Sequence, residues 1–211
     1  MQSAQRMARP TSALAGVRRK VRGGRLLPLA GFLCALIMAP GFAADGVTLN
    51  LEDLGHGTYR LEGHIQAPGT PYSAWRVLTD YEHIADFVSA LRKSTIKDSS
   101  TDRLVLEQEA MGKEFFITKR IQVLLQITEV PYKKVLFEDI SHKDFAFYEG
   151  SWEVRKDGDG LDIMYRLSCK RSFVVPNMIA KDALKKSAEG LLAEVRQEIQ
   201  RREGGPSCCK Q

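Results

Sequence analysis

The stretch "KDFAFYEGSWEV", residues 143–154, changes phase halfway along. Phe145 and Phe147 stand two apart, as side chains on one face of a β-strand do. Trp152 and Val154 also stand two apart, but on even positions. A regular strand cannot turn both sets toward one core, because a slip of a single residue sends every side chain to the other face. Gly150 lies between the sets, and glycine inside a strand is the usual place for a bulge. We therefore expect a bulge at Gly150 that bends the strand and brings Phe147 and Trp152 to the same side.

A bent strand needs something to bend around, and the chain downstream supplies it. From Pro176-Asn177 onward, Leu184, Ala188, Leu191/Leu192, Val195 and Ile199 recur at helical spacing, while Lys181, Lys185, Lys186, Arg196 and Glu198 cover the rest. Some 27 residues of helix at 1.5 Å per residue give a rod of about 40 Å. Around the opening stretch lie five segments with strand patterning: 103–110, 115–130, 134–141, 145–155 and 161–173. Pro131-Tyr132 and Asp157-Gly158-Asp159-Gly160 provide the tight turns of an antiparallel meander. Upstream, 47–54 and 58–67 alternate on either side of Gly55-His56-Gly57 and read as a hairpin. Thr70-Pro71 then opens a helix, and Thr79-Asp80 divides its pattern into two short ones. The fold class is α+β: a curved antiparallel sheet around a long C-terminal helix, with two short helices after the first strands.

The first 43 residues stand apart from this pattern. Arg18, Arg19, Lys20, Arg22 and Arg25 precede a 13-residue apolar run, Leu26 to Met38, followed by small residues up to Ala43. That is the grammar of a secretory signal peptide, and the run falls short of the roughly 20 residues a membrane span needs. We expect 1–43 to be a leader cleaved after Ala43, 44–204 to be the domain, and 205–211 to be a disordered tail, with the mature protein periplasmic or secreted. The leader carries seven of the 31 Lys and Arg and no acid, so the mature chain has 24 basic against 26 acidic residues. The formal charge of +5 thus belongs to the leader. A nucleic-acid partner, which needs a basic footprint on the folded protein, is not expected. Three cysteines remain, Cys169, Cys208 and Cys209, an odd number on which a disulfide framework cannot rest.

The order of these elements and three local motifs resemble the START-like helix-grip (SRPBCC) superfamily. "APGTPYSAWRVLTDYEHIADFVSALRKSTI" (67–96) is similar to the opening of its polyketide cyclase/dehydrase and coenzyme Q-binding branch. "HKDFAFYEGSWEV" (142–154) resembles that branch's aromatic–Gly–x–Trp strand, and "RSFVVPNMIAKDAL" (171–184) its link into the last helix. The resemblance covers roughly residues 58–203. It implies an apolar pocket between sheet and C-terminal helix for a lipid-like, isoprenoid or polycyclic molecule. It fixes no catalytic residue and implies no cofactor. The export signal sets this chain apart from the coenzyme Q-binding proteins and argues against a quinone as ligand.

Searched for chemistry, the chain shows no G-x-S-x-G, P-loop, G-x-G-x-x-G or H-E-x-x-H pattern. His56 and His64 could meet across the first hairpin, but a metal site lacks a third ligand. Asp80 is expected to cap the second short helix, Tyr81 to set its hydroxyl at the rim, and Arg166 to face outward beside Arg155. Candidate pocket residues are Phe87, Val88 and Leu91 at the mouth and Phe116, Val123, Phe137, Phe147, Trp152 and Tyr165 on the sheet. Ile179, Leu184, Leu191 and Val195 complete the lining from the helix. Three functions remain in play. The first is an exported carrier for a hydrophobic small molecule, in transient contact with membranes. The second is a cyclase or dehydratase using the same cavity, and the third is a filled-core interaction domain. Expression with its own N-terminus in a bacterial host should yield an envelope protein whose mass starts at Ala44. A full-length mass in the cytoplasmic fraction would remove the export reading.

Overall fold

The computed structural model describes residues 46–100, 103–114, 117–173 and 176–204. The leader, the tail with Cys208 and Cys209, and Phe116 lie outside them. β1 (Val47–Gly55) and β2 (Thr58–Pro68) form the expected hairpin, turning through His56 and Gly57, both at positive φ. α1 (Pro71–Leu78) begins as its sequence dictates. The Thr70 hydroxyl accepts from the Ser73 N–H at 3.2 Å, and the Ser73 hydroxyl accepts from the Thr70 N–H at 2.9 Å. After α2 (Ile84–Phe87), six strands follow: β3 (Leu91–Ser100), β4 (Arg103–Glu114), β5 (Ile117–Val130), β6 (Lys134–Asp139), β7 (Phe145–Asp157) and β8 (Gly160–Arg171). The chain ends in α3 (Asn177–Glu203).

All pairings are antiparallel, in the spatial order β1-β2-β8-β7-β6-β5-β4-β3. α1 and α2 therefore carry the chain from β2 to the far edge, and the meander steps back until β8 meets β2. This is the helix-grip α+β architecture. One sheet face is the inner one. On β2 it carries Tyr59, Leu61, Gly63, Ile65 and Ala67, opposite Cys169, Leu167, Tyr165, Ile163 and Leu161 of β8. All of the side chains in these two rows are buried. α3 turns Ala180, Ala188, Leu192, Val195 and Ile199 into the same core.

The helix does not lie evenly over the sheet. Its backbone comes closest to β1, β2 and β4, with α1 and α2 against its C-terminal half. Gly63 makes the approach to β2 possible, since a Cβ there would stand 2.5 Å from Leu192 Cδ1. β5 to β8 are held farther from the helix, and the side chains between decide what fills the gap.

Two features differ from the sequence reading. The phase change in β7 is a bulge, but it sits at Ala146: Phe145 pairs with Arg171, and Phe147 with Lys170. Phe145 thus joins Tyr148, Gly150, Trp152 and Val154 on the inner face, and Phe147 turns outward. Gly150 is regular in the ladder and serves another purpose, given below. The second difference is β3, which the sequence hides. It is the outermost strand, its ladder slips at Arg92 and at Lys97, and its exposed residues are mostly charged or hydroxylic. Edge strands protected in this way lose the apolar alternation that marks a strand.

Replacing Gly150 by Ala would bring a Cβ within 2.2 Å of the Arg166 carbonyl oxygen and 2.5 Å of Phe137 Cζ. Gly150→Ala should cost about 3 kcal/mol in urea unfolding. Gly190→Ala, mid-helix with nothing within 4 Å of the new Cβ, should instead stabilise by about 0.5–1 kcal/mol. Equal effects of the two changes would contradict this packing.

Candidate functional site

The inner face of β6, β7 and β8 carries a continuous run of aromatic rings. Phe145 and Tyr148 have ring centroids 4.9 Å apart, and Tyr148 and Phe137 5.8 Å. Phe137 stacks on Tyr165 at 6.2 Å, and Tyr165 lies 4.5 Å from Trp152. Register explains the run. Trp152 is the cross-strand partner of Tyr165, and Phe137 is the partner of Gly150, whose missing side chain leaves room for the Phe137 ring. Such pairs add about 0.5–1.5 kcal/mol each beyond their buried area.

The expected lining residues do not share one environment. Trp152 and Val123 on the sheet, Leu184 and Leu191 on α3, and Phe87 and Leu91 beside α2 are half-buried and pack against the core. Phe137, Tyr165, Val88 and Val195 are buried. Val88, expected at the mouth, is only 1% exposed: its N–H bonds to the Ile84 carbonyl, folding it under the turn into β3. Ile179 is half-buried in the first turn of α3. Phe147 does not belong to the site, because the bulge at Ala146 turns it to the outer face. Phe116 lies outside the described residues.

Of the polar groups in this part of the core, the sequence reading named Tyr165 and Tyr81 and missed Tyr148, Cys169, Gln108, Asp139 and Arg171. Tyr148 has its pKa pushed up to about 12 by burial, and Tyr165 is raised further by burial and by Tyr148. Burial also raises the Cys169 thiol to about 12. All three are neutral at physiological pH. Tyr81 is buried rather than at a rim, and its hydroxyl donates to Glu129 at 2.6 Å. Gln108 donates to the Ser94 hydroxyl at 3.2 Å. Asp139, fully buried, accepts from the N–H groups of Leu124 and Ser141 and from the Ser141 hydroxyl. Arg171, the last residue of β8, is opposite buried Phe145 and so also faces inward. Strict alternation from Leu161 through Cys169 leads to Arg171, but a terminal arginine reads as solvated.

Two depressions lie elsewhere. One of about 670 Å³ is on the outer face of the sheet, on the far side from α3, rimmed by Arg60, Glu62, Glu138, Glu149 and Arg166. Arg166 there pairs with Glu62 at 2.9 Å and Glu153 at 3.1 Å, and Glu153 also holds Arg155. The other, about 440 Å³, lies between α2 and the end of α3 and is lined by Asp80, His83, Phe87, Glu198, Arg201 and Arg202. His83 itself stands at the start of α2, so Asp80 does not cap that helix; its carboxylate pairs with His83 and Arg202. His56 and His64 do not meet: His56 sits in the hairpin turn, while His64 lies beside Asp162 and Glu62. Among the described residues no cluster of three metal-ligating side chains occurs.

With this geometry in hand, comparison with known proteins is informative. The family profile described as polyketide cyclase/dehydrase and lipid transport matches residues 68–196, more than half of the chain. No protein of curated function matches by sequence. Among solved structures, a STAR-related lipid transfer protein fragment from Xanthomonas axonopodis is similar at a TM-score of 0.63 and 15% identity, over 74% of this chain and 95% of that one. The Zhui aromatase/cyclase from a Streptomyces species gives 0.61 at 13% identity, over 71% and 98%. Human StAR-related lipid transfer protein 5 gives 0.60 at 11% identity, over 75% and 84%. At these identities the likenesses speak for the fold.

The far end of α3 is clamped by charge, and the clamp titrates. The buried Glu198 carboxylate takes Arg201 at 2.7 Å and Arg202 at 2.6 Å, and Arg202 reaches Asp80 at 2.8 Å. Bonds from Arg201, then Arg202, hold Glu198 below its ordinary 4.5 against the opposing effect of burial. Burial raises Asp80, but bonds from His83 and Arg202 outweigh it, leaving the carboxyl below its ordinary 3.8. Depressed folded values mean stability present above those ordinary values and lost as pH falls through the lower folded ones. Urea unfolding should therefore show wild-type stability falling below about pH 4.5, and falling less steeply in Arg202→Met. Parallel acid limbs would show that the clamp contributes nothing.

Proposed function

The chain belongs to the polyketide cyclase/dehydrase and lipid transport family, and from that premise we propose that it holds a hydrophobic small molecule between the inner sheet face and α3. We place it outside the cytoplasm, as a carrier, on the export grammar of residues 1–43. The observation that supports this most directly is the half-burial of large apolar side chains on the two facing walls. Trp152 and Val123 from the sheet, and Leu184 and Leu191 from the helix, each keep surface that solvent reaches while packing on the core. Apolar surface left in contact with water costs about 25 cal/mol per Å², and filled cores leave few such gaps. A lipid-like molecule laid against these side chains would remove that cost. The titratable groups among the rings, Tyr148, Tyr165 and Cys169, are held neutral, which suits an apolar occupant better than a reaction needing an ionised nucleophile.

The test uses the two tryptophans. In a Trp75→Phe protein, Trp152 alone reports, and uptake of a fluorescent polyene fatty acid or an isoprenoid should quench it. Leu191→Trp, which fills the gap from the helix side, should weaken uptake by about tenfold or more. Native mass spectrometry of protein from its own envelope should show a co-purifying amphiphile. An apo mass, with no quenching by any apolar ligand offered, would overturn the proposal.

A further inference from the structure

We infer that Arg171 anchors a carboxylate at the polar end of the occupant, making the ligand a long-chain monocarboxylic acid rather than a neutral lipid. The inference rests on the pocket reading above and adds the ligand's chemical class.

Register places the guanidinium. Arg171 is two residues beyond Cys169 on the inner face of β8 and pairs with Phe145 across the ladder. It lies 5.6 Å from the ring centroid of fully buried Tyr59 and 5.6 Å from that of Phe173. These aromatic faces favour a cation but carry no net charge. Nη1 is buried and has no hydrogen-bond partner, and no ion pair among the described residues includes Arg171.

Among the described residues, no carboxylate forms an ion pair with it. Tyr59 and Cys169 are both kept neutral, since burial raises each of them. The Tyr59 hydroxyl, which donates to Asn177 Oδ1 at the start of α3, is a neutral hydrogen-bond neighbour of the guanidinium and brings it no charge. The Asp53 carboxylate accepts from Asn177 Nδ2 at 2.6 Å and from the Gly55 N–H at 2.9 Å. Asp144 accepts from the Gln122 N–H at 2.9 Å; one oxygen of Asp139 takes three donors from Leu124 and Ser141, and its other oxygen is buried without a hydrogen-bond partner. Arginine does not shed its proton in proteins, so it cannot relieve its burial by neutralising, as a lysine or a carboxyl can. A carboxylate offers two oxygens in the geometry that a guanidinium fork accepts, and such charge-assisted bonds are about twice as strong as neutral ones.

The apolar part of the ligand has a matching track. The aromatic run begins at Phe145, opposite Arg171, and passes through Tyr148 and Phe137 to Tyr165 and Trp152. Tyr165 is six residues back along β8, on the order of 20 Å from Arg171 at strand rise. A carboxylate at one end and an extended hydrocarbon along the rings would meet both features at once.

Displacement of the fluorescent probe by palmitic acid, its methyl ester and hexadecanol tests this at about pH 8. Wild type should prefer the acid over the ester by about tenfold or more, the span of one charge-assisted hydrogen bond. Arg171→Gln should erase that preference while leaving ester affinity unchanged, and Arg171→Lys should keep part of it. Equal binding of acid and ester by the wild type, or a preference that survives Arg171→Gln, would overturn the inference and leave the pocket reading standing. Failure of all three compounds to bind the wild type would overturn the pocket reading itself. The wild-type comparison decides alone if Arg171→Gln does not fold.

Discussion

The contact between Leu192 and the bare backbone of Gly63 sets the geometry of everything else. With no side chain at Gly63, α3 drops onto β2 until Leu192 occupies the volume a Cβ would need. A helix drawn down on β1 and β2 cannot also press on β5 to β8, because the sheet curves between them. The aromatic wall on β6, β7 and β8 thus lies farther from the helix backbone, and Trp152, Leu184 and Leu191 pack partly buried against the core between them. Closeness on one side and distance on the other go together, and a bulkier residue at position 63 would shift both.

The wall depends on a second missing side chain. At Gly150 the ladder needs no special backbone, yet the Phe137 ring lies where a Cβ would be. That lets Phe137 reach Tyr148 on one side and Tyr165 on the other, so five rings from three strands join into one surface. Aromatic side chains bring large contact area with few rotatable bonds. Their order is therefore settled before any occupant arrives, and less entropy is lost when one does.

How much of this was legible in the sequence follows from what each feature depends on. The boundaries of α3, the first hairpin and the cap at Thr70 are local, and local patterns show them. The phase change in "FAFYEGSWEV" correctly announces a bulge, but glycine was the wrong guide to its position. Gly150 is there for a neighbour's ring, while Ala146 takes the extra residue. That exchange moved Phe147 out of the site and Phe145 into it. β3 was invisible because an edge strand with two slips and many charges has no alternation to read. Arg171 was invisible for the opposite reason: its strand reads well, but only pairing with Phe145 and the nearby rings shows that this half-buried arginine turns inward.

The two faces of the sheet also differ in how they treat charge. Outside, Glu62, Arg166, Glu153, Lys134 and Arg155 form a connected set of exposed and half-exposed ion pairs. Each exposed pair contributes at most about 1 kcal/mol. Their larger effect is on sidedness. A one-residue slip of β7 or β8 would carry Glu153 or Arg166 into the aromatic wall and turn Trp152 or Tyr165 out, so the register that builds the wall is enforced from the other face. Inside, by contrast, burial keeps the tyrosines and the thiol neutral, and the inward cation Arg171 has no such network. Charge is thus paired thoroughly on the outer face, while on the inner side Arg171 keeps a buried Nη1 that no group among the described residues satisfies.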